Sequence, residues 1–223
     1  MSYLDFSGTL ARSDLFIGAA ALTILLSVVA MVLGLLVGIA GAAMRLSRNR
    51  AVSAVALGYV EVIRNTPFLV QIYIVYFGLP GIGIRISALT AAILSLTFYA
   101  GAYITEIVRA GILTIDKGQL EAARTLGLSG YRTFRHVVLV PAMAAMFPAL
   151  TSQFILVMLA SSVVSVISVP ELTGVANDIQ GLTFRSLEAF LIVAAVYLVL
   201  TACFKGIYAA IDRFAFSYRH VAR

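Results

Sequence analysis

Five long apolar stretches constrain the fold of this chain more than any other feature of its sequence. They run over about residues 15–44, 52–79, 86–113, 136–168 and 187–211. Each is long enough to cross a bilayer as a helix and far too long for a barrel strand. Because lipid offers the backbone no hydrogen-bonding partner, we expect each stretch to be helical. The sequence therefore predicts an all-α integral membrane protein with five transmembrane helices.

The composition excludes several other classes of protein. Of the 223 residues, 61% are hydrophobic and 12% are charged, and the mean hydropathy is +1.02. Soluble domains are about half apolar and a quarter charged, so the surplus of apolar residues must face a lipid bilayer. An ordinary soluble domain, a disordered chain and a soluble nucleic-acid-binding protein are excluded. The first stretch is too long for the apolar region of a signal peptide, so we expect it to be retained.

The basic residues predict the orientation of the spans. Thirteen of the sixteen Lys and Arg residues fall at 45–64, 109–135 and 205–223, which share one side of a five-span chain. The other side has only Arg12, Arg85 and Arg185. Since cytoplasmic loops are enriched in Lys and Arg, we expect the N-terminus outside the cell and the C-terminus in the cytoplasm.

No residue pattern indicates catalysis or a metal site. Cys203 is the single cysteine, which excludes an internal disulfide and a cysteine-based zinc site. His136 and His220 have no carboxylates at metal-ligand spacing. No nucleophile–base or paired-carboxylate arrangement is visible. We therefore expect no cofactor, no metal ion and no enzymatic activity.

The segment between the third and fourth stretches predicts a short helix outside the membrane. Asp116 suits the N-cap position, and Gln119 completes a capping-box pattern. Gly127 suits the left-handed residue that ends a helix. Ser129 suits the cap of the next helix, which continues into the fourth stretch. The charge distribution places this short helix on the cytoplasmic side.

Periodicity alone supports two interpretations of this short helix equally. In the first it is a solvated connector, with Glu121 and Arg124 spaced for an ion pair. In the second it docks on a partner, because Ala122 and Ala123 keep one face thin enough to enter a groove.

The same segment resembles a known motif. Glu121-Ala122-Ala123, followed by Gly127 and Pro141, is similar to the EAA loop of ATP-binding-cassette importer permeases. The run from Glu61 to Gln71 resembles the E-x-x-R-x-T-P-x-x-x-Q opening of the second helix in the polar amino acid permeases. The resemblance covers about residues 15–215.

The resemblance implies a type I importer permease fold in a single transmembrane domain over residues 1–223, with the coupling loop at about 114–141. It implies a permease subunit of an ATP-driven importer for a polar amino acid or related compound, in a bacterial inner membrane. Its implied partners are an ATP-binding subunit dimer, a second permease subunit and an extracytoplasmic substrate-binding protein. The implied coupling residues are Glu121, Ala122, Ala123, Gly127 and Pro141. The chain has no G-x-x-x-x-G-K-[ST] phosphate loop, so ATP hydrolysis is expected in another subunit.

The candidate substrate pathway has two parts, and each has a structural alternative. The candidates are Arg64, Thr66, Ser161, Ser162 and Ser165. Arg64 lies near a helix end, where it either shapes or gates the bundle or contacts substrate. Pro67 should interrupt the helix and free carbonyls, which either line a pathway or mark a packing kink. The serines either line a polar path or satisfy their own backbone carbonyls.

One departure from the family pattern bears on the partner. The fourth helix of the family reads L-K-[DN]-T-S-L, whereas Met158–Val163 here reads M-L-A-S-S-V. Leu159 and Ala160 thus replace a lysine and an acidic or amide residue. Either a second, non-identical permease subunit carries the main substrate site, or the substrate is held by hydroxyls and backbone. We favour the first explanation.

Other charged residues have simpler interpretations. Glu106 and Arg109 are spaced for a local salt bridge. Glu171 and Asp178 fall in an outer loop, where they either meet the binding protein or are solvated. Two rival functions are a secondary transporter, which predicts inverted repeats and mid-membrane carboxylates, and a membrane scaffold, which needs no coupling helix. Neither repeats nor such carboxylates are visible.

Overall fold

The computed structural model describes residues 4–215, and within them it contains helices and connecting turns but no strand. The ten α-helices are α1 (Ser7–Leu10), α2 (Ser13–Arg45), α3 (Arg50–Arg64), α4 (Phe68–Tyr73), α5 (Ala88–Leu113), α6 (Lys117–Thr125), α7 (Gly130–Arg132), α8 (Val140–Ala160), α9 (Leu172–Thr183) and α10 (Ser186–Ala215). Two stretches are π-helical, Ile74–Gly78 and Thr133–Leu139, and two are 3₁₀-helical, Leu79–Ile82 and Ser161–Ile167. The basic residues Arg219 and Arg223, together with His220, lie outside the described residues.

Four continuous helices are long and apolar enough to cross a membrane. They are Ser13–Arg45, Ala88–Leu113, Gly130–Ile167 and Ser186–Ala215. The second apolar stretch differs from the others, because Arg50–Arg64 and Phe68–Ile82 meet at an angle of 106°. Asn65 and Pro67 lie at this elbow, where proline disfavours helical geometry at the residue before it. The predicted interruption of this helix is therefore confirmed.

The packing of α2 against α5 shows that the bent segment returns the chain across the bundle. A methyl group added to Gly34 would lie 2.6 Å from Ala100 Cβ, and one added to Gly41 would collide with Thr105. The two helices therefore run in the same direction and touch backbone to backbone, as small residues allow in membranes. Since α2 ends where α5 also ends, the residues between them must travel the full length back. The bent segment is thus the fifth crossing, as predicted.

A cluster of buried apolar residues lies at the end of the bundle where α2 begins. It is built around α9, which the sequence did not predict as a separate helix. Leu172, Val175, Ala176 and Ile179 recur at helical spacing and pack against Phe16 and the start of α10. The N-terminal end of α2 and α9 therefore share one end of the molecule. The C-terminal ends of α2 and α5, and with them α6, share the other.

Candidate coupling helix and transport pathway

Local capping interactions fix the position of α6 at the end of the bundle. Asp116 has extended backbone geometry, and its carboxylate accepts a hydrogen bond from Gly118 N at 2.6 Å. The predicted N-cap is therefore correct. The reciprocal half of the capping box is not formed, because Gln119 makes no side-chain hydrogen bond to Asp116 within residues 4–215. Ser129 caps the following helix at Arg132 N, as predicted.

Gly127 ends α6 with the geometry that its sequence predicts. Its φ is +69°, in the left-handed region that favours glycine. Leu128 N donates to Ala123 O at 3.0 Å, and Gly127 N donates to Arg124 O at 2.9 Å. These two bonds form a Schellman motif, which satisfies the last carbonyls of the helix and turns the chain sharply. The motif sets the direction in which α6 projects from the fourth span.

The two alanines of the EAA triplet differ in burial. Ala122 is exposed, whereas Ala123 is 3% exposed, at a position where α6 meets the start of the fourth span. Ala123 therefore contacts the helical bundle, and the exposed residues of α6 and its C-terminal end include Glu121, Ala122 and Leu126. Leu126 is 78% exposed. The Glu121–Arg124 ion pair suggested by the spacing is not formed in the described part of the chain.

Pro141 lies where the fourth span changes its helical form. The helix is π-helical from Thr133 to Leu139 and α-helical from Val140 onward. Proline lacks the N–H that would bond one turn back, and its ring crowds that turn, which accounts for the wider winding before it. Pro141 also lines a cleft of about 370 Å³ together with Ala122, Ala123 and His136. Three of the predicted coupling residues thus line one cleft, and the other two, Glu121 and Gly127, belong to α6 and to the turn that ends it.

Gln71 bridges the elbow at Pro67 by hydrogen bonds, a role that the sequence did not reveal. The Gln71 side-chain nitrogen donates to Ile63 O and to Thr66 O, both at 2.8 Å. Gln71 is 8% exposed, so these bonds are largely shielded from solvent. Two backbone carbonyls at the break, Ile63 O and Thr66 O, are therefore satisfied within the chain. This contact favours a structural bend over a carbonyl-lined path at Thr66.

Arg64 lies in a cleft beside the elbow. Its guanidinium carbon is 5.2 Å from the centre of the Tyr103 ring, a cation–π distance. The cleft measures about 350 Å³, and Glu106, Gly111 and Met146 also line it. The face of the Tyr103 ring thus contacts a cation. Among the described residues, no serine of the candidate pathway lines this cleft.

Glu106 joins the C-terminal ends of α2 and α5. Arg109 Nη2 lies 2.7 Å from one carboxylate oxygen, which confirms the predicted local salt bridge. Arg45 Nε lies 3.3 Å from the other oxygen. The sequence did not identify Arg45 as a partner, because 61 residues separate it from Glu106. Two guanidinium groups therefore share one half-buried carboxylate directly before the loop that leads to α6.

The candidate pathway serines bond to their own backbone. Ser161 Oγ donates to Met158 O at 2.6 Å, Ser162 Oγ to Leu159 O at 2.7 Å and Ser165 Oγ to Ser162 O at 2.8 Å. Each carbonyl lies three residues earlier, and the segment is 3₁₀-helical. Their hydroxyls therefore make the backbone contacts that were the alternative interpretation of these residues.

The structure changes the interpretation of Glu171. Glu171 has no exposed surface, and its carboxylate accepts hydrogen bonds from Gly174 N at 2.8 Å and from the Tyr197 hydroxyl at 2.9 Å. It therefore caps α9 and is not available in this structure to contact a partner. Burial raises the pKa of Glu171, although these hydrogen bonds oppose the change. Asp178, on the same helix, is exposed.

A comparison with known protein families decides what kind of molecule this geometry belongs to. Residues 30–216 match the family described as the binding-protein-dependent transport system inner membrane component. The chain belongs to this family. The predicted membership of the importer permeases is thereby confirmed.

Curated relatives of this permease are similar along most of its length. The glutamine transport system permease protein of Escherichia coli (strain K12) is 37% identical over 211 residues, which cover 94% of this chain and 96% of the relative. The nopaline transport system permease protein of Agrobacterium fabrum is 36% identical, over 83% of this chain and 81% of the relative. These relatives are permease proteins, which confirms the prediction of a transport subunit rather than an enzyme.

Solved structures confirm the fold of this permease. A chain from the crystal structure of an amino acid ABC transporter with histidines superposes with a TM-score of 0.88 at 38% identity, covering 94% of this chain and 98% of that one. A chain of the methionine ABC transporter in an inward-facing conformation has a TM-score of 0.76 at 20% identity, covering 92% and 98%. The second likeness shows the fold alone. The predicted type I importer permease fold is confirmed.

Three polar contacts that shape the site were missed by sequence reasoning for the same reason. Gln71, Arg45 and Glu171 each bond to a group on another turn or another helix. The sequence gives only a weak signal for such contacts, because a polar side chain inside an apolar run must find a partner. The identity of that partner depends on how the helices pack.

Proposed function

We propose that this chain is the permease subunit of an ATP-driven importer for a polar amino acid or a related polar nitrogen compound, and that it forms half of the translocation pathway. Support for this substrate class comes from relatives named for glutamine and nopaline, and from one named for arginine in Bacillus subtilis (strain 168), which is 34% identical over 94% of this chain.

The observation that carries this proposal is the exposed helix α6, capped at both ends. We place a separate ATP-binding subunit against its outer face, where Glu121, Ala122 and Leu126 are exposed. Gly127 fixes the angle of the helix, while Ala123 and Pro141 connect it to the fourth span. Movement of the ATP-binding subunit would thus reach the spans through a short, rigid lever. A dimer of such subunits would serve this chain and a second permease.

The α6 end of the bundle is proposed to face the cytoplasm of a bacterium, with the N-terminus outside and the C-terminus inside. The C-terminal ends of α2 and α5 carry Arg45 and Arg109, and α6 begins at Lys117. The opposite end of the bundle includes Arg12 and Arg185, the latter paired with Asp5 at 2.9 Å. The excess of basic residues at the α6 end supports this orientation in the inner membrane.

Arg64 is the best-supported of the proposed pathway residues. Its guanidinium lies in an open cleft and is available to a carboxylate, because within residues 4–215 it forms no ion pair. Thr66, Ser161, Ser162 and Ser165 remain proposed pathway residues. Their observed bonds support a contribution to the shape of the path more than direct contact with substrate.

The remaining proposed partners are a second permease subunit, non-identical to this one, and an extracytoplasmic substrate-binding protein. The replacement of the family's lysine and acidic residue by Leu159 and Ala160 supports a non-identical partner. Full transport by a homodimer of this chain would contradict that part of the proposal.

The function is tested by purifying the tagged chain from its own host and measuring ATP hydrolysis and uptake in proteoliposomes. We expect an ATPase to co-purify, and Gly127→Val to reduce uptake far more than ATP hydrolysis, because a β-branched residue is strained at φ +69°. Gly127→Asn is the matched control, since asparagine tolerates this conformation. Absence of an ATPase would favour the secondary-transporter or scaffold alternatives. Normal coupled uptake by Gly127→Val would contradict the role of α6.

A further inference from the structure

A cavity of about 270 Å³ lies between α2, α5 and the start of the fourth span. Apolar side chains alone line it. They include Leu35 and Ile39 from α2, Val108 and Ile112 from α5, and Phe134 and Val138 from the π-helical stretch. The cavity shares only Met146 with the Arg64 cleft and no lining residue with the cleft behind α6, and the transport proposal does not use it.

The chemistry of the walls restricts what can fill this cavity. A cavity without polar groups stays dry and takes apolar ligands, because water inside it would lose its hydrogen bonds. Ile39 is 49% exposed and Phe134 is 52% exposed, so the cavity opens on the outer surface of the chain. In a bilayer the abundant apolar species at such a surface is the acyl chain of a phospholipid.

Two arginines, Arg132 and Arg135, flank the lining residue Phe134 in the chain. Arg135 precedes Leu139, another lining residue, by one turn, and Arg132 lies a few residues earlier on the same helix. Both arginines are exposed, and within residues 4–215 neither forms an ion pair. No Asp or Glu occurs from Ala122 to Pro170 to neutralise them. Basic residues beside a groove between spans are a recognised setting for anionic headgroups.

We propose that this cavity holds one acyl chain of an anionic phospholipid whose phosphate lies against Arg135 and Arg132. The bound chain would contact the π-helical stretch Thr133–Leu139, which follows α6 after the Gly127 turn. The lipid would therefore brace the segment that connects α6 to the fourth span. The inference requires the membrane-spanning fold but not the identity of the transported substrate.

The absence of tryptophan from this chain provides a direct test. Phe134→Trp places a fluorescent probe at the cavity wall, and Met143→Trp provides a second probe there. Val199→Trp on the exposed face of α10 is the matched control, since Val199 is 61% exposed and lines no described cavity. The full-length chain, with its co-purifying subunits, is reconstituted with brominated phosphatidylglycerol or brominated phosphatidylcholine over the same series of mole fractions. The fluorescence of the parent complex is subtracted.

We expect the anionic brominated lipid to quench the probe at position 134 at a lower mole fraction than the zwitterionic lipid, by about fivefold for each arginine that contacts the headgroup. Position 199 should be quenched equally by both lipids. Arg135→Gln combined with Arg132→Gln should remove the preference, whereas Arg213→Gln on α10 should not. Equal quenching by both lipids at positions 134 and 143, or no quenching by either, would overturn the proposal.

Discussion

The side-chain nitrogen of Gln71 lies 2.8 Å from the backbone oxygen of Ile63, across the 106° elbow in the second span. A second bond of the same length joins this nitrogen to Thr66 O. Both oxygens lost their usual helical donors at the break that Pro67 causes. One buried amide therefore stabilises a bend that would otherwise leave carbonyls unpaired inside the membrane.

Replacing this amide should destabilise the elbow. Gln71→Leu removes both donors, and each unsatisfied carbonyl costs about 1–3 kcal/mol. We expect a lower thermal unfolding temperature in detergent, measured by the loss of the monodisperse peak in size-exclusion chromatography. Asn65→Ala is the control, because Asn65 also bonds near the elbow but is exposed. Equal stability of Gln71→Leu and the parent would show that the amide does not hold the bend.

Local features of this structure were readable from the sequence, and distant contacts were not. Asp116, Gly127 and Ser129 were identified correctly because a cap depends on residues within one or two turns. The burial of Glu171 was missed, because it depends on Tyr197 of another helix. The side chain of Thr23 likewise bonds to Leu172 N at 3.2 Å, from 149 residues away. Apolar periodicity predicts spans but does not specify which polar groups meet between them.

Because Arg45 and Arg109 share the carboxylate of Glu106, variants at Glu106 and Arg45 should differ in stability. Glu106→Gln leaves the guanidinium groups of Arg45 and Arg109 close together without a counter-charge, whereas Arg45→Gln leaves the Arg109 pair intact. We expect Glu106→Gln to cost about 1–3 kcal/mol and Arg45→Gln clearly less. Thermal unfolding of both single variants and of the double variant measures the coupling. A larger loss for Arg45→Gln than for Glu106→Gln would contradict this ranking.

The close contact of α2 with α5 predicts a steric effect at Gly38. A side chain there would collide with Ile104, since even an added Cβ atom overlaps it. Gly38→Leu should therefore reduce the yield of folded protein strongly, because overpacking costs about 1–3 kcal/mol or more. Gly206→Leu on α10 is the matched control, as no atom lies within 4 Å of its added Cβ. Similar folded yields for the two variants would show that α2 and α5 do not touch at Gly38.

The buried carboxyl of Glu171 predicts a pH dependence of stability. Its folded-state pKa is raised above the ordinary 4.5 by burial, so the neutral acid is favoured in the folded protein. Its contribution to stability is therefore fully present at pH values below 4.5 and is lost as the pH rises through the raised pKa. Relative to Glu171→Gln, the parent should become progressively less stable with rising pH. A pH-independent difference, or the same trend in the exposed control Asp178→Asn, would contradict this assignment.

The side of the membrane on which α6 lies tests the central claim most directly. In a Cys203→Ser background, Ala122→Cys places a thiol on the exposed face of α6, and Asp178→Cys places one on α9 at the other end. We expect a membrane-impermeant maleimide to label position 122 only in inside-out vesicles, with protection by the bound ATPase, and position 178 only in intact cells with a permeabilised outer membrane. Labelling of position 122 from outside, or equal labelling with and without the ATPase, would contradict the role of α6 as the coupling helix.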